Sequence, residues 1–236
     1  EYWAHLGFAY GELERTEDSI AAFRTAADLS GEGERFVMFY IQSLLETKHF
    51  DEAERALSDA QERFPSSRRI QMLETKALDL RGEGEKALEK AIAISSEEPE
   101  NGLLVQGVID IYQNQKRFAE AVDFLSEKLD VSPESTSLLF QLGAMSERQG
   151  NYAEAEAYFR KILEKEPDSG AALNYLGYML ADRDRHLEES LGLVQRALQR
   201  DPYNGAYLDS LGWVYFKMGE LELAEKNLLE AIERLR

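Results

Sequence analysis

Residues 136–169, TSLLFQLGAMSERQGNYAEAEAYFRKILEKEPDS, decide how the chain is organised. Leu139, Leu142, Gly143 and Ser146 recur at helical spacing. Gly150 and Asn151 interrupt the pattern, and Ala155 and Phe159 begin a second helical face that runs to Pro167. The stretch reads as helix, short turn, helix. The proline stops the second helix, because its ring fixes φ and leaves no N–H to donate. A small residue on each helix allows close approach, so the pair is expected to pack as an antiparallel hairpin.

The same punctuation extends in both directions. The chain's five prolines are Pro65, Pro99, Pro133, Pro167 and Pro202, spaced by 34, 34, 34 and 35 residues. Small residues keep the same interval at Ser19, Ala53, Ala87, Ala121, Ala155, Ser190 and Ala224. Larger side chains follow four residues later at Phe23, Leu57, Leu125, Phe159, Val194 and Leu228, with Ala91 in the third unit. Seven units result, spanning 1–33, 34–67, 68–101, 102–135, 136–169, 170–204 and 205–236, within one continuous array. One hairpin cannot bury its apolar stripe alone, so the units must stack to form a core. The third is irregular: its stripe of Ile70, Leu73, Ala77 and Leu80 falls one residue early. The sixth carries an extra residue in the turn Asp182–His186, where alternating charges predict local Asp–Arg pairing, with docking of a partner as the alternative.

These ladders resemble the tetratricopeptide repeat family. Its signature is carried by Trp3, Leu6, Gly7, Tyr10, Phe23 and Ala26 in the first unit, and by Leu211, Gly212, Tyr215, Ala224 and Ala231 in the last. The resemblance implies an all-α fold, a right-handed α-solenoid of seven helix-turn-helix hairpins. The first helix of each unit would line the concave side, where partner peptides bind. Carried over unit by unit, that surface takes Phe8, Met38, Phe39 and Gln42 early, Gln106, Asp110 and Gln113 centrally, and Phe140, Asn174, Tyr178, Asp209, Trp213 and Phe216 late. Two readings stand for the late aromatics: packing between neighbouring helices, or anchors for a bound segment. The Lys-Asn-Arg clamp that some members use for a partner's C-terminal carboxylate is missing, since Ala4, Phe8, Met38, Gln106 and Asp110 occupy the corresponding places and Asn174 is the one agreement, late in the chain. The run LNYLGYMLADR together with YLDSLGWVYFKMGE is similar to bacterial members, among them envelope lipoproteins and assembly adaptors. A bacterial cell-envelope setting is therefore favoured over the cytoplasm.

Composition narrows the function. With 27 Lys and Arg against 45 Asp and Glu, the net charge is −18, which opposes a nucleic-acid partner and favours a basic or apolar protein ligand. The longest apolar run, Phe36 to Ile41, falls far short of the roughly 18 residues a membrane span needs. There is no cysteine, and His5, His49 and His186 lie in three different units, so no metal or cofactor site is expected. The triplets Gly31-Glu32-Gly33 and Gly82-Glu83-Gly84 follow no strand and read as connectors, not phosphate loops. No catalytic constellation emerges. The expected function is that of an interaction scaffold or adaptor holding a peptide or helix in the concave groove. The alternative is a scaffold that self-associates through the apolar ends of the array. The chain opens at Glu1 without a signal core, and so reads as a segment of a longer protein.

Overall fold

The computed structural model describes residues 1–31 and 33–235, with the side chain of Leu235 not described. Glu32 of the first Gly-Glu-Gly triplet and Arg236 at the end of the last expected unit therefore lie outside the described residues. Among the described residues every regular element is an α-helix, and there are fourteen. They are α1 (Tyr2–Glu12), α2 (Thr16–Leu29), α3 (Glu34–Glu46), α4 (Phe50–Arg63), α5 (Arg68–Leu80), α6 (Gly84–Glu97) and α7 (Gly102–Asn114). There follow α8 (Phe118–Val131), α9 (Thr136–Gln149), α10 (Tyr152–Lys165), α11 (Gly170–Asp182), α12 (Leu187–Arg200), α13 (Gly205–Met218) and α14 (Leu221–Leu235). This all-α solenoid pattern forms two compact units, Glu1–Arg117 and Phe118–Arg236.

Punctuation explains where each helix begins and ends. Each proline follows the last residue of an even-numbered helix by two positions, and two residues later a Ser or Asn opens the next helix. The Ser67, Asn101, Ser135 and Asn204 side chains accept hydrogen bonds from main-chain N–H groups of the first turn that would otherwise be unpaired. The turns from odd to even helices each hold a residue in the left-handed region. It is glycine at Gly82, Gly150 and Gly219, but Glu14, Lys48, Lys116 and Asp184 in the other four.

Within the hairpins the small-residue ladder is buried throughout. A Cβ on Gly7 would come within 2.8 Å of the Phe23 ring, and one on Gly143 within 2.7 Å of Phe159, so these positions set how closely the paired helices lie. Ser19 Oγ donates to the Gly7 carbonyl at 2.8 Å, and Ser190 Oγ to that of Gly177 at 2.6 Å, closing the same seam with hydrogen bonds. Leu139, Phe159, Ile162, Leu173 and Leu176 fill the core of the second unit, and Ile41, Leu44, Leu45 and Ile70 that of the first.

Two local departures have physical causes. In α5, Ile70, Leu73 and Ala77 are buried, but Leu80 at the end of the expected stripe is exposed. Glu74 stands at the place that Leu142, Leu176 and Leu211 hold in later units. Its carboxylate accepts from Gln61 of α4 and Lys90 of α6, so a polar triad replaces an apolar contact. In the longer turn after α11, Asp184 pairs with Lys217 of α13 at 2.9 Å, and the Arg183 guanidinium lies 3.7 Å from the Tyr152 ring centroid. The expected local Asp–Arg pairing is not what forms there, because the extra residue projects both groups toward neighbouring helices.

Candidate protein-binding site

The first unit holds a cleft of about 510 Å³ whose walls come from three odd-numbered helices, α3, α5 and α7. Its floor is apolar: Met38 from α3, Met72 and Leu73 from α5, and Leu103 and Ile111 from α7. Gly107 makes room for this arrangement, since a Cβ there would land on the Met72 Cε. Methionines suit such a floor because an unbranched, polarisable side chain adapts to varied partners. Arg69 and Lys76 of α5 line the cleft, as do Asp79, Gln106, Asp110 and Asn114. Gln106 Nε2 donates to Asp110 at 2.7 Å, and Asp79 accepts from Asn114 at 3.1 Å and Gln115 at 2.7 Å.

A second cleft, of about 580 Å³, opens between α1, α2 and α3. Phe8 and Phe39 border it with ring centroids 5.1 Å apart, and both rest on Phe23. Phe39 is half-buried against the core, whereas Phe8 remains half exposed. Sequence reasoning placed both on one surface, and the structure brings them together.

The late residues divide between packing and exposure. Phe140 is half-buried in a three-ring cluster with Phe159 and Tyr175, at centroid distances of 5.4 and 5.5 Å. Tyr175 and Phe159 stack at 4.8 Å, and the Tyr175 phenol donates to Glu147 at 3.4 Å. Burial, reinforced by the charge of Glu147, pushes that phenol up to about 12. Trp213 packs beside Ala181, Val194 and Val214 and stacks on Phe216, which is 49% exposed. Tyr178 is 39% exposed, and its phenol is raised by burial and by the nearby Asp182 and Asp209 carboxylates. Asn174 Oδ1 and Trp213 Nε1 are buried without a hydrogen-bond partner among the described residues. Tyr178, Asp209 and Phe216 thus offer an exposed aromatic and acidic surface on α11 and α13, which pack against one another.

Sequence reasoning found Met38, Gln106 and Asp110 but missed Met72, Arg69, Lys76 and Gly107. All but Gly107 belong to the irregular third unit, and the displaced stripe there was the one signal that α5 presents a different face. No group of three His, Cys, Asp or Glu that could hold a metal ion occurs among the described residues. No helix among them is long and apolar enough to cross a membrane.

Comparison with known proteins bears on the ladders directly. Models described as tetratricopeptide repeat match residues 12–77, 146–205 and 206–234. A TPR repeat-containing protein of Pseudomonas aeruginosa is 30% identical over 165 residues, covering 70% of this chain and 28% of its own length. Human tetratricopeptide repeat protein 7A is 27% identical over 124 residues, covering 52% of this chain and 14% of its own. The chain thus spans less than a third of these relatives. Among solved structures, a tetratricopeptide repeat protein from Parabacteroides merdae aligns over 99% of this chain and 92% of its own, with TM-score 0.64 and 13% identity. MamA from Desulfovibrio magneticus aligns over 69% and 91%, with TM-score 0.54 and 20% identity. The repeat models fall in both compact units, on the helix pairs that the proline and small-residue ladders delimit, and the chain belongs to the tetratricopeptide repeat family.

Proposed function

We propose that the chain is a protein-interaction scaffold that holds a segment of another protein against its odd-numbered helices. The observation that carries this reading is the cleft over α3, α5 and α7, whose Met38, Met72 and Leu103 floor is rimmed by polar side chains. Such a combination is typical of a binding pocket, in which apolar surface supplies affinity and a few polar groups fix orientation. The cleft is lined by packed helices, so a partner would meet a surface that is already formed and lose mainly its own entropy. Phe8 and Phe39 in the same unit, and Asn174, Tyr178, Asp209, Trp213 and Phe216 with the neighbouring Phe140 in the other, are further contact positions in this reading. A bacterial cell-envelope setting goes with it, and the Pseudomonas relative supports the bacterial part of that reading alone.

A second reading is self-association. Leu221, Leu229 and Ile232 of α14 are exposed, and so are Tyr2 and Trp3 of α1, which leaves apolar surface at both chain ends. Light scattering across a concentration series separates the two, since a purely partner-binding scaffold stays monomeric.

The test is affinity capture from the source organism with the wild-type chain beside Met38→Glu, which places a charge on the cleft floor. Proteins retained by the wild type and lost by the variant, at unchanged melting temperature, support the cleft. An identical set on both overturns it.

A further inference from the structure

Net charge and the local pattern of ion pairing point to opposite partners. Within α1–α7, among the described residues, every Lys and Arg except Arg69 and Lys76 reaches a carboxylate or a main-chain carbonyl. In a chain with 45 Asp and Glu against 27 Lys and Arg, acceptors are plentiful, and within α1–α7 an unpaired helical cation is the exception. Both exceptions line the same cleft. They lie seven residues apart on α5, two turns or about 10 Å along the axis, with Met72 and Leu73 between them on the same face. The carboxylates that share the cleft are already engaged by amide donors, Asp110 by Gln106 and Asp79 by Asn114 and Gln115. Asp79 and Asp110 sit toward the C-terminal ends of α5 and α7, whereas Arg69 sits in the first turn of α5. The cleft is therefore cationic where Arg69 opens α5, apolar along its floor, and of mixed charge toward the helix ends, where Lys76 stands one turn before Asp79.

Resting on the cleft reading above, we infer that the segment held between α3, α5 and α7 is acidic, with an apolar anchor for the Met38–Met72 floor and flanking carboxylates for Arg69 and Lys76. Complementary charge of this kind selects among partners and sets orientation more than it adds raw affinity. The roughly 10 Å separation matches carboxylates two turns apart on one face of a helix. The recognised feature is a run of side chains within a segment, and the cations that read it share one helix.

A random 12-residue peptide library displayed on phage supplies the probe. It is selected on the wild-type chain, on Arg69→Gln/Lys76→Gln, and on two cleft variants, Gly107→Leu and Met38→Glu. Arg69 and Lys76 hold no partner in the fold, so their replacement leaves the melting temperature unchanged. The two cleft variants serve as alternatives should one of them fold poorly. The expected result is a set of wild-type peptides with Asp or Glu on either side of Leu, Ile, Phe or Met, lost on the cleft variants. Synthetic copies should bind at least about tenfold more weakly to Arg69→Gln/Lys76→Gln. Cleft-dependent peptides that are neutral or basic, or that bind the double variant equally, overturn the inference and leave the cleft reading standing. Peptides indifferent to both cleft variants, or no peptide recovered at all, overturn both.

Discussion

The indole of Trp213 and the ring of Phe216 stack with centroids 5.3 Å apart and planes 25° from parallel, yet the two side chains differ sharply in surroundings. Trp213 also packs on the core beside Val194 and Val214, while half of Phe216 faces solvent. Their truncations should therefore separate. Trp213→Ala is expected to lower stability by about 2 to 4 kcal/mol through the lost core contact, and Phe216→Ala by less than about 1 kcal/mol. Urea unfolding followed by circular dichroism reads both; equal losses would mean that the pair acts as one packed unit.

Glu74 offers a test of the polar triad at the junction of α4, α5 and α6. Glu74→Leu restores the side chain that later units bury at this place and leaves Lys90 free to face solvent. It should stabilise the chain by about 1 kcal/mol, because a buried apolar contact is gained while the Lys90 side chain, 40% exposed, remains solvated. Lys90→Ala removes only one partner, and should destabilise it. A loss of stability in Glu74→Leu would show that the triad contributes more than the apolar contact it displaces.

Lys48 adopts φ of 63°, a conformation that costs a residue bearing a Cβ on the order of 1 kcal/mol. Lys48→Gly should raise the midpoint of urea unfolding by an amount corresponding to about 0.5 to 1 kcal/mol, against the greater unfolded-state entropy of glycine. The equivalent turn positions 82, 150 and 219 are already glycine and leave no such gain.

Tyr175 makes the chain sensitive to alkali. Its phenol is pushed up to about 12 by burial, with Glu147 adding to the shift, whereas an unfolded tyrosine titrates near 10. The stability of the protonated form is complete below about pH 10 and is lost as pH rises through 12. Tyr40 is raised in the same direction, by burial and by its 2.6 Å hydrogen bond to Glu52. Melting temperature should fall above about pH 10, and less steeply in Tyr175→Phe. An unchanged slope in that variant would place the alkaline sensitivity elsewhere.

What could be read from sequence was whatever repeats. Proline ends a helix and a small residue permits close approach whatever their neighbours, so Pro65 to Pro202 and Ser19 to Ala224 mark the hairpins directly. The binding surface was legible only in part. Met38 and Asp110 follow from position within a repeat, but the role of Arg69 depends on a missing partner. Pairing between residues some thirty positions apart, as for Arg68 with Glu97 and Glu98 or Arg160 with Glu189, is decided by side-chain reach across stacked helices. No period in the sequence encodes it. The burial of Phe140 in a ring cluster was equally hidden, since an aromatic on a first helix looks the same whether it packs or protrudes.

The longer turn at Asp182–His186 shows how this architecture handles copying errors. One additional residue shifts every later position by one, yet Val194, Ala197, Leu208 and Leu211 remain in the core as their counterparts do upstream. The mismatch is absorbed locally by left-handed residues at Asp184 and His186 and is tethered by Lys217. An insertion that would throw a β-sheet out of register is here confined to the corner where it arose. Such turns are natural places to lengthen the chain, to graft an epitope or to splice in a reporter while the hairpins on either side keep their packing.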